Sequence, residues 1–489
     1  MSNKTFTFHN TVIGYRHIIE ELPCQDSSTS YAAEDGSFQV IAVGDGHGDP
    51  ACHRSAKGSE FAVSVAEKCL VEFGKAIVAG DMDFSSPRQR RECIEQLTNT
   101  MISKWNGAIR NDLLENEVND EDLNEAGLYE AAYREGRRLE HLYGTTLIAA
   151  LKVSHYFVLI HQGDGRCDVF YDDGTVEQPI PWDNRCKGSI TTSMCDEDVF
   201  QSIRSTVIDT DERNVVACYI GSDGVEDSYY DNEETQLGTH RFYMDLSCKL
   251  CELGTDRFPQ YLDEFLPEFS RTGSADDVSV AGIVDLEMLT SLIDGFKKSI
   301  EQYDYKQSLY KRLEETTAKL ISMTRKHGLL KQRVTDVEHD LKDKTEEKQK
   351  LEDRLQQLTS KRDRLSKRAD AAKTELEDYR REAEEARHSV EERYQVIISA
   401  VRLFVDEITT GYSKKETAYS HMLEKILEYN NQINELEETI SRQDSAIEEQ
   451  RQKLTLAQEE FGQYDKQYNA LSEELNEVQT KINELASEE

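Results

Sequence analysis

A chain of 489 residues is long enough for two or three domains. Its 58 basic and 95 acidic residues give a formal charge of −37, which argues against a general nucleic-acid binder. No run is long and apolar enough to span a bilayer, no basic-plus-apolar leader is visible, and the ten cysteines lack framework spacing, so a cytoplasmic, reducing setting without a membrane partner is expected.

From the N-terminus, Thr5–His9 reads as a strand, followed by Arg16 and His17 and then by Asp26 after a turn in LPCQD. The run Phe38–Val43 reads as a buried strand that stops at Gly44 and delivers Asp45, Gly46 and His47 to its end. Glycine there lets a main-chain carbonyl approach a ligand. Helical periodicity follows over 51–73, 91–114 and 123–141, with residues 111–140 acidic enough to suggest a surface excursion. Thr146–Val153 and Tyr156–His161 read as strands, the second running into Asp164 in GDGR. After strand Cys167–Tyr171, the stretch Asp172–Asp198 carries two prolines, a Trp and many polar residues, as expected of a flap. Val215–Ile220 ends in SDGVED, which places Asp223 and, one helical turn on, Asp227. Helical spacing returns near 238–253. The one C-x-x-C, Cys248 to Cys251, has no second ligand pair and reads as structural. Asp276 and Asp277 then precede strand Val278–Val284.

Strands with helices inserted between groups predict layered sheets covered by helices. Four apolar strands each carry an Asp at a terminus, which is the donor chemistry of a hard-cation site.

The ordered set QD, DGHG, YGTTL, GDGR, SDG and DDVSV resembles the type 2C metal-dependent serine/threonine protein phosphatases over nearly all of residues 1–285. The resemblance implies an α+β fold, a sandwich of two antiparallel sheets flanked by helices in α-β-β-α layers. It also implies two Mn²⁺ or Mg²⁺ ions at one end of the sandwich. Asp45 would bridge both, the Gly46 carbonyl would bind one, and Asp223 and Asp276 would hold the other. Asp26 would orient the attacking water, while Asp164 and Asp227 match positions that approach a third, weaker ion. Gly144, Thr145 and Thr146 would support the sheet beside the cleft. Two nearby divalent ions acidify a shared water and neutralise a phosphate, so no protein nucleophile is needed. His47 could protonate the departing seryl or threonyl oxygen, or instead hydrogen-bond Asp45 or nearby backbone. Two departures stand out. Gln25 occupies the place where many animal relatives carry a Glu ligand, and Arg16, the candidate phosphate-binding Arg, lies nine residues before it.

All seven prolines lie at or before Pro267 and only four glycines follow Asp285, so a boundary falls near 285. A helical connector is expected over 286–329 and a coiled coil over 330–489. Apolar residues keep 3–4 spacing from Leu330 onward. Ile426, Ile433, Ile440, Ile447, Leu454, Phe461, Tyr468, Leu475 and Ile482 recur every seven. Gly411 and Ser413 suit a turn near 409–413, which favours an antiparallel hairpin over a parallel dimer. The apolar stretch Val396–Val405 suggests a partner or self-association surface. The chain is thus expected to dephosphorylate a protein substrate, a Ser/Thr kinase or its target, with the arm binding a partner, oligomerising or regulating. The alternative is a degenerate phosphatase-like scaffold or sensor acting through its coiled coil.

Overall fold

The computed structural model describes residues 5–124, 126–188, 190–229, 237–383 and 412–488. The chain divides into two compact units, one ending at Tyr305 and the other beginning at Lys306.

Among the described residues, the first unit holds ten strands in two antiparallel sheets. One sheet has the order β1 (Thr5–Val12), β10 (Val278–Asp285), β9 (Val215–Gly221), β6 (Arg166–Tyr171) and β7 (Val176–Glu177). The other has β2 (Asp26–Ala32), β3 (Phe38–Asp45), β4 (Leu147–Val153), β5 (Tyr156–Gln162) and β8 (Arg204–Asp209). The central strands are apolar on consecutive residues because both of their faces are covered. On β3, Ile41 and Val43 face the other sheet, where they join Ile148, Leu159, Val169, Ile220 and Ile283. Val40 and Ala42 point the opposite way, against Ala62, Ala66 and Leu70 of helix α2 (Ser55–Ala79) and Met101 and Trp105 of α3 (Pro87–Glu115). The outer face of the other sheet is covered by α5 (Leu237–Leu253) and α6 (Phe258–Thr272), through Phe242, Leu246, Leu262 and Leu266. A short helix α4 (Asp223–Glu226) follows β9 directly. The layers are therefore α-β-β-α.

Residues 123–141, periodic in sequence, do not form one helix. They break into short turns at Asp120–Asn124, Gly127–Tyr129, Glu130–Arg134 and Leu139–Tyr143. Tertiary bonds decide this local structure. Asp122 receives Arg54 Nε at 2.8 Å, and the Tyr133 hydroxyl donates to the Ala51 carbonyl at 2.8 Å.

Helix α7 (Leu286–Ala383) starts directly after β10, so residues 286–329 are helical, and its first turns bury Leu289 and Phe296 against α5 and α6. In the second unit, α7 runs antiparallel to α8 (Tyr412–Glu488), as the pairs Arg312–Glu474, Arg333–Glu460 and Lys348–Asp444 show. Leu358, Leu365, Ala369 and Leu376 pack against Met422, Ile426 and Ile433. Gly411 and the stretch Val396–Val405 lie outside the described residues, while Ser413 lies within α8. Among the described residues, no helix is long and apolar enough to cross a membrane.

Candidate active site

The carboxylates singled out in the sequence sit at strand ends, except Asp227, which follows the short helix α4. Asp26 and Asp45 face each other in the β2–β3 register. The end of β3 is fixed to the start of β4: Thr146 N donates to the Asp45 carbonyl at 2.8 Å, Thr145 Oγ1 to the same oxygen at 2.8 Å, and Asp45 N to Thr146 Oγ1 at 3.1 Å. These threonines therefore hold the backbone of Asp45 and leave its carboxylate free of that task. Gly46 is a glycine for steric reasons. A Cβ there would lie 2.6 Å from the Gln25 carbonyl oxygen and 2.8 Å from that of Ser55.

Asp45 and Asp223 come from different sheets, yet their carboxyl groups lie close enough to govern each other's ionisation. Burial first, then neighbouring acids, pushes both well above the usual carboxylate range; Asp45 is opposed by Asp223, Asp26 and Asp164, and Asp223 by Asp164, Asp227 and Asp276. Asp26 is only 7 % exposed, and burial with help from Asp277 raises its pKa to about 8. Its Oδ2 is buried without a hydrogen-bond partner. Asp164 is raised too, chiefly by burial. Asp164, Asp223 and Asp227 line one groove of about 420 Å³, together with Arg166, Trp182 and Lys187.

Such a set fits divalent cations. Hard oxygen donors converge from five turns, two of the carboxyl groups are held protonated by burial and by neighbouring acids, and a third keeps an orphaned oxygen. The set is more dispersed than a single tight pocket. Among the described residues, a trio with all ligating atoms within 4.8 Å of one another occurs instead at His155, Asp209 and Asp211, a partly exposed group at the far end of the β5–β8 pair.

Asp276 and Asp277 have separate tasks. Asp277 is buried and accepts from Gly14 N at 2.6 Å, Gln25 N at 2.6 Å and His17 Nδ1 at 3.0 Å, which ties the segment before β2 to the start of β10. Asp276 is partly exposed and receives Arg16 Nη2 at 2.9 Å. Arg16, half exposed, thus reaches the carboxylate cluster. The Gln25 side chain turns away to donate to Ser55 Oγ at 2.9 Å. His47 lies against Gly144, and burial, then His141, lowers its pKa to about 4, so its ring is neutral at pH 7.

Sequence reasoning missed the Asp277–His17 clamp, although the adjacent pairs Arg16-His17 and Asp276-Asp277 were visible. It also missed a buried ion pair between Arg166 and Glu226. Nothing local in the sequence marks two residues sixty positions apart as partners.

A search of the curated proteins gives no significant match. Among solved structures, the chain is similar to a bacterial serine phosphatase (16% identity, 57% of this chain and 97% of the other, TM-score 0.33). It is also similar to the serine/threonine phosphatase Stp1 from Staphylococcus aureus (16%, 57% and 94%, TM-score 0.32). A third likeness is to the Mycobacterium tuberculosis serine/threonine phosphatase PstP/Ppp (17%, 57% and 98%, TM-score 0.33). The family model described as protein phosphatase 2C matches residues 13–267, just over half of the sequence, and the chain accordingly belongs to the protein phosphatase 2C family of metal-dependent serine/threonine protein phosphatases.

Proposed function

We propose that the chain hydrolyses phosphoserine and phosphothreonine in protein substrates at the carboxylate cluster, with two Mn²⁺ or Mg²⁺ ions held by Asp45, the Gly46 carbonyl, Asp223 and Asp276. Asp164 and Asp227 are the candidates for a third, weaker ion. The observation that carries this reading is the convergence of the carboxyl groups of Asp45, Asp223 and Asp26 from separate turns, with one Asp26 oxygen buried and without a hydrogen-bond partner. When bound, the cations supply acidification of a water and neutralisation of the phosphate charge. The side chains do the rest. Asp26, opposite Asp45, accepts a hydrogen bond from the attacking water and turns a lone pair toward phosphorus. Arg16 releases Asp276 to grip phosphate oxygens, for which its exposure leaves it free. His47, whose pKa burial and His141 lower, is assigned to packing against Gly144. The helical arm is assigned to partner binding, oligomerisation or regulation.

Hydrolysis of p-nitrophenyl phosphate with Mn²⁺ tests the reading. Native protein should turn over only with the cation, and Asp45→Asn should lose on the order of 100-fold or more in kcat. Turnover that survives chelation, or an Asp45→Asn variant as active as native, would overturn it.

A further inference from the structure

The two turns that bring Asp164 and Asp223 to the groove belong to different connections. The first joins β5 to β6 and the second joins β9 to α4. One side chain spans them. Arg166, at the start of β6 and opposite Gly221 in the β6–β9 register, sends Nε and Nη2 to the two carboxylate oxygens of Glu226, the last residue of α4. Both side chains are nearly buried, at 6% and 8% exposure. The guanidinium is covered by the Trp182 ring, 3.8 Å from its centroid.

A buried ion pair is a poor choice for stability alone, because an apolar pair of similar volume commonly serves as well or better. What the fork provides is geometry. A bidentate Arg–carboxylate contact fixes both distance and orientation. Here it fixes α4, the turn that carries Asp223 at its first position and is followed by Asp227, against the turn that carries Asp164. Trp182 excludes water from the contact and at the same time forms a wall of the 420 Å³ groove.

Resting on the proposed cation site, we infer that Arg166 is a positioning residue. Through Glu226 it sets the spacing between Asp164 and the Asp223–Asp227 turn, and Trp182, stacked on it, senses cation occupancy of that groove.

The test uses the full chain and two readouts, Mn²⁺ binding by calorimetry and tryptophan emission. The chain has two tryptophans, and Trp105 is fully buried against α2. Mn²⁺ quenches nearby fluorophores, so native protein should lose emission on titration, and Trp182→Phe should abolish that loss. Arg166→Lys keeps the charge and loses the fork. It should shift the Mn²⁺ midpoint upward by about 10- to 100-fold, the range found when groups supporting metal ligands are changed. Glu226→Gln should shift it in the same direction. If Arg166→Lys lowers only the melting temperature and leaves the quenching midpoint within about twofold of native, the residue is merely structural and the inference fails. If native protein neither binds nor is quenched by Mn²⁺, the cation site itself is wrong and the inference falls with it.

Discussion

Removing one proton-binding group should make the cation-free enzyme more stable. Asp26 has a native pKa of about 8 where an unfolded chain would have about 3.8. Between those values the native state keeps a proton that the unfolded state has released, so stability falls as pH rises, by up to 1.36 kcal/mol per pH unit for one whole proton. From pH 5 to pH 7 that is about 2–3 kcal/mol lost. Asp45, Asp164 and Asp223 act in the same direction. Asp26→Asn keeps the shape of the side chain and removes the ionisation. Relative to native protein, the variant should gain about 2–3 kcal/mol more at pH 7 than at pH 5. For a unit of this size that is roughly 5–8 °C in Tm. Calorimetric melts of chelator-treated protein across pH 5–8 supply the comparison. Mn²⁺ should reverse the effect, because cations that bind only the native state stabilise it, and they should do so more at pH 8 than at pH 5.5, where protons compete for the same oxygens. Parallel pH profiles for native and variant protein, or a variant less stable at pH 7, would refute the idea that burial and neighbouring acids hold these carboxyl groups protonated in the cation-free chain.

Other substitutions probe the frame around the site and the helical arm. Gly46→Ala places a methyl 2.6 Å from the Gln25 carbonyl and should cost about 1–3 kcal/mol in a chemical melt while weakening Mn²⁺ binding. Arg54→Met strips the buried Asp122, 1% exposed, of its bidentate partner. A loss of about 3–5 kcal/mol is expected, with much of it recovered by the paired change Asp122→Leu. In the arm, Ile426→Ala should cost about 2–5 kcal/mol because Ile426 is fully buried, whereas reversing the exposed pair Arg312–Glu474 should change helix melting by less than about 1 kcal/mol. Circular dichroism at 222 nm separates the two.

Strands with both faces covered were readable because covering both faces demands a continuous apolar run, as in Val40 to Val43. Strand β2, DSSTSYA, was not, because most of it is only partly buried and its hydroxyl side chains carry no such pattern. Helix α6 escaped for a different reason. Pro259 stands in its first turn and Pro267 lies inside it, and both read as breaks. Its apolar face of Phe258, Leu262 and Leu266 overrides them by burial. The carboxylates were legible because a strand end followed by Gly is a local feature. Their supports were not, since Glu226 finds Arg166, and Asp277 finds His17 and Gln25, only once the sheets have been laid together.

The site straddles the sandwich. Asp26 and Asp45 belong to one sheet, and Asp223 and Asp276 adjoin strands of the other. The apolar layer between the sheets, with Ile41, Val43, Ile148, Ile220 and Ile283, holds them together regardless of what happens at the end. That separation of tasks is what permits a cluster of mutually repelling acids. Burial elsewhere offsets a local repulsion of a few kcal/mol, because core side chains contribute about 1.5–3 kcal/mol each. On the proposed function, a cation would join one sheet to the other at this end. Metal binding and closure of the sandwich end would then be one equilibrium, and the acids expected to make the cation-free protein less stable at high pH are those proposed to receive the divalent ions.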